Sequence, residues 1–523
     1  MDWIQNHLLS LILFTPTVAA VIVMLLPAAR LKLVRWTALG FSLIPFILTL
    51  VLWAQFDPEI NAMGAFQFKE QAAWYAAIHA TYSLGVDGIS LTMVLLTTLL
   101  TPLAILASFN ITERVKAYMA LFLVLETGML GVFLALDLLL FFVFWEIGLV
   151  PMYFLIAQWG GANRNYASLK FMLYTIGGSL GLLLATQVIG LSTGTFDLQL
   201  LMVRWPNLTE IGLPLGLSVA TVKAIAFWAF VIAFAVKVPI WPFHTWLPDA
   251  HTEAPTAGSM ILAGVLLKLG AYGFIRLVLP LFPTEATIYG PWLAALATLA
   301  IILGALAAWG QKDFKRLVAY SSINHMGFVV LGIAAAAMAP RGLAPDGALS
   351  ANIALNGAVL QMFNHGLSSA AMFFLVGVIY DRTHTRQLED FGGLWTVLPV
   401  YGTLLVLTSM ASLGLPGLNG FVSEFMVVRG SWPLLMLPTA LSMIGLFFTG
   451  AYILKAIKSV LHGPLNARWV GVLQEITGRE LAVITPLVIL MVALGLWPMW
   501  LLQPINTSVA YLLNNIFSIV NLW

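Results

Sequence analysis

The sequence has no cysteine and few charges: 9% of its 523 residues are Asp, Glu, Lys or Arg. Without thiols there is no disulfide, no cysteine-held iron–sulfur cluster and no thiol nucleophile. Any redox chemistry connected with this chain therefore belongs to another chain, or to a cofactor held without cysteine. A soluble globular protein is about a quarter charged, so a water-soluble domain is excluded. The net charge of +2 leaves nucleic-acid binding without electrostatic support. The sequence also lacks a phosphate-cradling glycine loop and a metal-ligand cluster, so a soluble-type enzyme has no basis.

What is present is apolar side chain, 61% of the sequence. It is arranged in runs of roughly 20 residues, each long enough to cross a ~30 Å hydrocarbon core as a helix. About fourteen follow one another, near 8–27, 36–54, 86–109, 117–136, 138–159, 168–191, 217–238, 256–279, 291–310, 317–338, 353–380, 397–429, 433–456 and 482–502. The seventh and twelfth are interrupted. A β-barrel would alternate in short segments instead. The expected fold is an all-α, multi-pass membrane protein forming one integral membrane domain. The first run has no basic segment before it and reads as a retained helix rather than a signal peptide. The longest polar stretches, near 55–83 and 192–216, are too short for a separate domain.

Positive charge tests this count. If the helices alternate in direction, most Lys and Arg fall on one side, from Arg30, Lys32 and Arg35 to Arg468 and Arg479. The other side receives Lys69, Arg204, Arg341 and Arg429. A wrong count would scramble that bias. By the positive-inside rule the basic side is the cytoplasmic one, and both termini lie opposite.

Five basic residues fall within or at the margins of apolar runs: Lys223, Lys237, Lys268, Arg276 and Lys455. The acids Glu126, Asp137, Glu146 and Glu424 do the same. A charge at bilayer depth costs at least ~2.5 kcal/mol, so such residues usually face protein or a water-filled cavity. Lys223 and Arg276 read as helix-end residues that snorkel to the interface. Lys455 is open between snorkelling and a buried role, and Asp137 reads as interfacial, in the turn between helices four and five. Glu146, in LLLFFVFWEIGLVPMYF, is different. So are Lys237, which ends AIAFWAFVIAFAVK, Lys268, inside ILAGVLLKLGAYGF, and Glu424, which follows LGLPGLNGFVS.

Proline and glycine give these charges a setting. Pro239 should break helix seven and leave Lys237 at a half-helix C-terminus, where freed carbonyls and the dipole favour a cation. Gly414, Pro416, Gly417 and Gly420 should break helix twelve and place Glu424 in the first turn of the second half, where an anion is favoured. Broken helices at membrane depth recur at ion sites of transporters. Lys237 and Glu424 are separated by as many residues as Lys268 and Lys455, which suggests two inverted five-helix repeats, roughly 117–280 and 291–460. Between them, SSINHMGF supplies Asn324 and His325, and QMFNHGLSSA supplies Asn364 and His365. Histidine titrates near neutral pH and suits a proton relay. His244, Asp249 and His251 around WLPDA read as a loop set closing a half-helix rather than as metal ligands.

The strings FVFWEIGLVPMYFLIAQWGG, FAVKVPIWPFHTWLPDAHTEAPTAGSMILAGVLLKLGAYG, DFKRLVAYSSINHMGF and LPGLNGFVSEF together resemble the antiporter-like proton-channel family. Within it the M-type, or chain 4, subunits of complex I and related NAD(P)H–quinone oxidoreductases are the nearest pattern. The resemblance runs from about 80 to 500. It implies that Glu146 and Lys237 form a switchable ion pair and that Lys268 is the central lysine. It also implies that His325 and His365 bridge the halves and that Glu424 is the terminal site. Glu126 receives no role from it.

It further implies that this chain carries no cofactor. NAD(P)H or ferredoxin, FMN, iron–sulfur clusters and quinone would be handled by partner subunits. Expected partners are other membrane-arm subunits, sister antiporter-like subunits among them, with the lipid bilayer, protons and water. The membrane would be a bacterial plasma membrane or a thylakoid. Competing readings are a multi-subunit sodium/proton antiporter subunit, against which Glu424 speaks, a membrane-bound hydrogenase arm, and a non-pumping spacer. A spacer would have no use for costly buried charges.

Overall fold

The computed structural model describes residues 6–210, 216–342 and 344–520. Part of the polar stretch 192–216, residues 211–215, lies outside them. Thirteen helices among the described residues are long and apolar enough to cross a bilayer. In chain order the spans are α1 Leu8–Leu25, α2 Leu31–Gln55, α3 Gly88–Ala107, α4 Val115–Leu134, α5 Leu138–Trp159 and α6 Arg164–Thr193. The seventh is split into α7a Val219–Lys237 and α7b Trp246–Glu253. Then follow α8 Thr256–Leu281, α9 Pro283–Gly310, α10 Phe314–Met338 and α11 Gly347–Thr383. The twelfth is split into α12a Pro399–Leu413 and α12b Asn419–Ser431, each too short to span alone. The series closes with α13 Met436–Leu461 and α14 Gly478–Leu496.

Helix ends follow the local chemistry. Asp87 and Ser90 form a capping box at the start of α3, and Thr477 and Glu480 another at α14. Asp137 caps α5 by accepting from the amides of Leu139 and Leu140, both at 3.0 Å. It lies in the expected turn, is wholly buried by protein, and also accepts from Thr81 N at 2.8 Å. Burial pushes its carboxyl above the usual carboxylate range against these hydrogen bonds.

Two elements lie outside the fourteen expected spans, a short hairpin and a C-terminal helix. Strands β1 Gln67–Tyr75 and β2 Ala80–Val86 form an antiparallel hairpin within the polar stretch near 55–83, with Glu70 opposite Leu84. Its apolar side chains do not alternate cleanly, so period-two reading misses it. After α14 comes a further helix, α15 Met499–Val520, whose buried Leu501, Ile505, Val509, Leu512 and Ile516 mark one apolar stripe. It docks on the start of α3, where Gly88 N donates to Ser508 Oγ at 2.7 Å. Gly88 must be glycine there, since a Cβ would fall 1.8 Å from Pro504 O.

Burial divides the spans. Helices α8, α10 and α11 are enclosed by protein along an 18-residue stretch of each, whereas α1, α2, α6, α13 and α14 leave much of their surface facing outward. The enclosed helices carry the polar strings of the sequence. Polar groups at bilayer depth are thus placed where other helices can satisfy them.

Candidate functional site

The site begins at the first helix break. Pro239 ends α7a, and the carbonyl of Val236 is taken up by Trp246 Nε1 at 2.9 Å. Lys237 sits in the last turn of α7a and is 3% exposed. The expected ion pair with Glu146 is not formed: no carboxylate lies within 4.0 Å of Lys237 among the described residues. Its ammonium stands instead over the ring of Trp145, 5.0 Å from the centroid. Trp145 is the residue before Glu146 and is fixed by donating Nε1 to Ser179 Oγ at 2.9 Å. One face of a tryptophan attracts a cation, so Lys237 has a resting place other than the acid. Glu146 is half-buried, and its Oε1 has no hydrogen-bond partner among the described residues.

Lys268 is wholly buried in the enclosed α8. That helix loosens into π-turns on both sides of it, at Leu262–Leu266 and Phe274–Val278. Such turns free carbonyls and recur at functional positions. Lys268 Nζ donates to the Ala263 carbonyl, in the first of these turns, at 2.5 Å. On its other side it meets His365 Nδ1 at 2.8 Å.

From His365 the polar thread continues. The His365 and His325 rings are 5.7 Å apart between centroids, and His365 Nε2 has no partner among the described residues. His325 Nδ1 lies 2.7 Å from Glu424 Oε1, and its Nε2 lies 3.2 Å from the Tyr452 hydroxyl. Gln361 Nε2 also donates to Glu424 Oε1, at 2.8 Å, and is oriented by Ser423 Oγ, which donates to Gln361 Oε1 at 2.6 Å. Glu424 Oε2, beside the turn at Gly414, has no hydrogen-bond partner among the described residues. That turn is left-handed, with Gly414 at φ +84°, which suits glycine.

Two sequence expectations change here. Glu424 sits in the second turn of α12b, not the first, so neighbouring side chains hold it rather than the helix dipole. Lys237 precedes its helix break and Glu424 follows its own, so equal spacing does not put them at corresponding places. Lys455, the partner of Lys268 in that spacing, is half-buried and donates to the carbonyls of Trp309 and Gln311 at 2.6 and 2.7 Å. It caps α9 rather than joining the thread.

The remaining charges sort plainly. Lys223 is half-buried and donates to Pro206 O at 2.7 Å, as a helix-end residue should. Arg276 does not snorkel: it is buried and paired with Asp87. Asp249 pairs with Lys170 at 2.6 Å and Arg316 at 3.5 Å, which ties α7b to α6 and α10. Glu126 is wholly buried in α4, and neither of its oxygens has a hydrogen-bond partner among the described residues. Reasoning from sequence missed Trp145, Gln361, Ser423 and Tyr452. Gln361 carried a signal, because it stands four residues before His365 on one helix face.

A family profile described as "NADH:quinone oxidoreductase/Mrp antiporter, TM" matches residues 135–451. NADH-quinone oxidoreductase subunit M of Rhodobacter capsulatus is 42% identical over 517 residues, covering 98% of this chain and 97% of that one. A chain of respiratory complex I from Thermus thermophilus, solved with bound NADH, superposes with a TM-score of 0.81 at 28% identity, over 97% of this chain and 99% of that one. A chain of the Mrp complex from Dietzia sp. DQ12-45-1b superposes with a TM-score of 0.80, covering 99% of each chain. Its 21% identity makes that a likeness of fold alone.

Proposed function

Since this chain belongs to the NADH:quinone oxidoreductase/Mrp antiporter transmembrane family, we infer that it is a proton-translocating subunit of the membrane arm of a quinone oxidoreductase, of the M or chain 4 type. Electrons do not enter it. NAD(P)H or ferredoxin would be oxidised, and quinone reduced, on partner subunits. The redox step supplies the free energy, and this chain moves protons beside sister membrane-arm subunits.

One observation carries the reading. Lys268, His365, His325 and Glu424 line up as proton-exchanging groups through the enclosed middle of the protein, hydrogen-bonded from Lys268 to His365 and from His325 to Glu424, with one ring-to-ring gap between the histidines. A proton on Lys268 has His365 Nδ1 within hydrogen-bond reach. The ring gap to His325 is bridged by water or by a small ring rotation, and His325 hands on to Glu424. Glu424 releases the proton past its free Oε2, beside the break in helix twelve. Glu146 and Lys237 form the gate. With Lys237 over Trp145 the gate is open. Closing Lys237 onto Glu146 at ~4 Å in an effective dielectric of ~20 is worth ~4 kcal/mol. A shift of a few ångströms by one ammonium is then enough to couple the gate to events elsewhere in the complex. The breaks in both halves support an inverted duplication of 117–280 and 291–460.

The test is proton pumping by the reconstituted complex carrying His325→Leu. Proton transfer through this subunit is expected to fall about 100-fold, the low end for loss of a positioned proton carrier, with assembly intact. Pumping at the wild-type rate would remove His325 from the path.

A further inference from the structure

The two oxygens of Glu424 stand in different settings. Oε1 meets Gln361 and His325, and Oε2 has no hydrogen-bond partner among the described residues. Two chains of hydrogen bonds decide which oxygen carries the proton. Each chain starts at a backbone carbonyl, which can only accept, so the direction of every later bond follows.

The first chain begins where α11 meets α12b. Asn364 Nδ2 donates to the Asn419 carbonyl at 2.7 Å, and Asn419 Nδ2 donates back to the Asn364 carbonyl at 3.1 Å. This reciprocal lock fixes which way round both amides lie. Asn364 Nδ2 gives its second hydrogen to Ser423 Oγ at 3.0 Å. Ser423 accepts there and places its own hydrogen on Gln361 Oε1 at 2.6 Å, its shortest contact. With that oxygen occupied, the Gln361 amide presents Nε2 to Glu424 Oε1, 2.8 Å away. Asn364, Asn419, Ser423 and Gln361 are all buried, so bulk water does not compete.

The second chain comes from α13. Thr449 donates to the Gly445 carbonyl at 3.0 Å, so toward Asn324 Nδ2 it accepts. Asn324 Nδ2 turns its other hydrogen to the Tyr452 oxygen at 3.4 Å. The Tyr452 hydroxyl is left to donate to His325 Nε2 at 3.2 Å, and the neutral ring keeps its hydrogen on Nδ1, 2.7 Å from Glu424 Oε1. Oε1 therefore faces two N–H donors, and an oxygen accepting from both is a poor seat for a proton.

We propose that Gln361 is a positioning residue that keeps the proton of Glu424 on Oε2, so that the acid takes a proton in at one oxygen and gives one out at the other. The proposal rests on the translocation reading above. In the transfer the His325 imidazolium breaks its Nδ1–H bond and an Oε1–H bond forms. The Oε2–H bond breaks at the same time, and its proton passes to water beside Gly414. The carboxyl stays neutral, its C–O and C=O bonds exchange, and His325 returns to the neutral ring. A half-turn about Cγ–Cδ then carries the protonated oxygen outward and returns a bare oxygen to Gln361. The Gln361 N–H favours that turn, because it binds the bare oxygen better than the protonated one.

The experiment reads the carboxylic C=O stretch of Glu424 in infrared difference spectra of the assembled, reconstituted complex, assigned as the band lost in Glu424→Gln. With the proton on Oε2 the carbonyl oxygen is Oε1, and hydrogen bonds to it weaken the C=O bond. Gln361→Met keeps the side-chain length and removes the N–H. It is expected to move the band to higher wavenumber and to lower proton transfer through this subunit about 10-fold, the weight of one hydrogen bond to a charged group. Ser423→Ala only frees the amide to turn. It should move the band the same way, and it decides the matter if the first variant does not assemble. With the proton on Oε1 the carbonyl oxygen would be Oε2, which Gln361 does not touch, and the band would stay in place. An unmoved band, the absence of any Glu424 carboxylic band, or wild-type proton transfer in Gln361→Met would each overturn the proposal. The underlying reading fails separately: wild-type pumping by Lys268→Met would end translocation through this chain, whatever Gln361→Met does to the band.

Discussion

Lys268 Nζ lies 2.8 Å from His365 Nδ1, and among the described residues no carboxylate lies within 4.0 Å of that ammonium. A lysine wholly buried beside a histidine, rather than an acid, is held by exchangeable protons and a carbonyl. It is not an ion pair, and breaking it leaves no stranded counter-charge. His365→Leu is therefore expected to leave assembly intact while lowering proton pumping about 100-fold. Pumping assays on the purified, reconstituted complex check this.

Glu424 accepts from Gln361 at 2.8 Å and faces His325 at 2.7 Å. Glu424→Gln keeps the shape but loses the titrating group, so pumping should fall by ~10²-fold with little change in stability. Glu424→Lys should be milder, since lysine can still carry a proton. Equal loss in both variants would show that acid chemistry is required at this position.

The gate makes a separate claim. Lys237 rests over Trp145 rather than on Glu146. Trp145→Leu removes a cation–π contact of about 0.5–2 kcal/mol and should shift Lys237 toward Glu146, slowing pumping several-fold. Glu146→Gln should abolish pumping by this subunit. A Trp145→Leu variant with wild-type turnover would mean that the ring plays no part in parking the ammonium.

Asp137 caps α5 and holds the hairpin through Thr81. Asp137→Ala leaves three amides without this acceptor and should cost about 1–2 kcal/mol, the usual range for a lost N-cap. Asp137→Asn should cost less. Thermal unfolding of the purified complex, followed at this subunit, reads the difference.

Much of this was legible in the sequence because the bilayer imposes a length. Runs of roughly 20 apolar residues define spans whatever their partners are. Proline and glycine also act locally, so the break after Lys237 and the turn at Gly414 could be placed from residue type alone. The buried charges stood out because apolar neighbours surrounded them. What could not be read depends on distant partners. Arg276 looks like a helix-end residue until Asp87, 189 positions away, comes beside it. Lys237 and Glu146 have opposite charges and share one region, and nothing in their sequence separation shows that Trp145 takes the ammonium. The hairpin was lost because its apolar residues do not alternate, and α15 because one stripe of five residues is weak beside fourteen long runs. Glu424 was placed one turn too early, since the start of α12b depends on how the chain leaves the turn at Gly414.

Lys268 begins the thread and hands on to His365, so the most direct measurement is proton translocation by the reconstituted complex carrying Lys268→Met, with assembly and quinone reduction followed in parallel. The account predicts an assembled complex in which pumping by this subunit falls about 100-fold. Wild-type pumping with methionine at position 268 would contradict it.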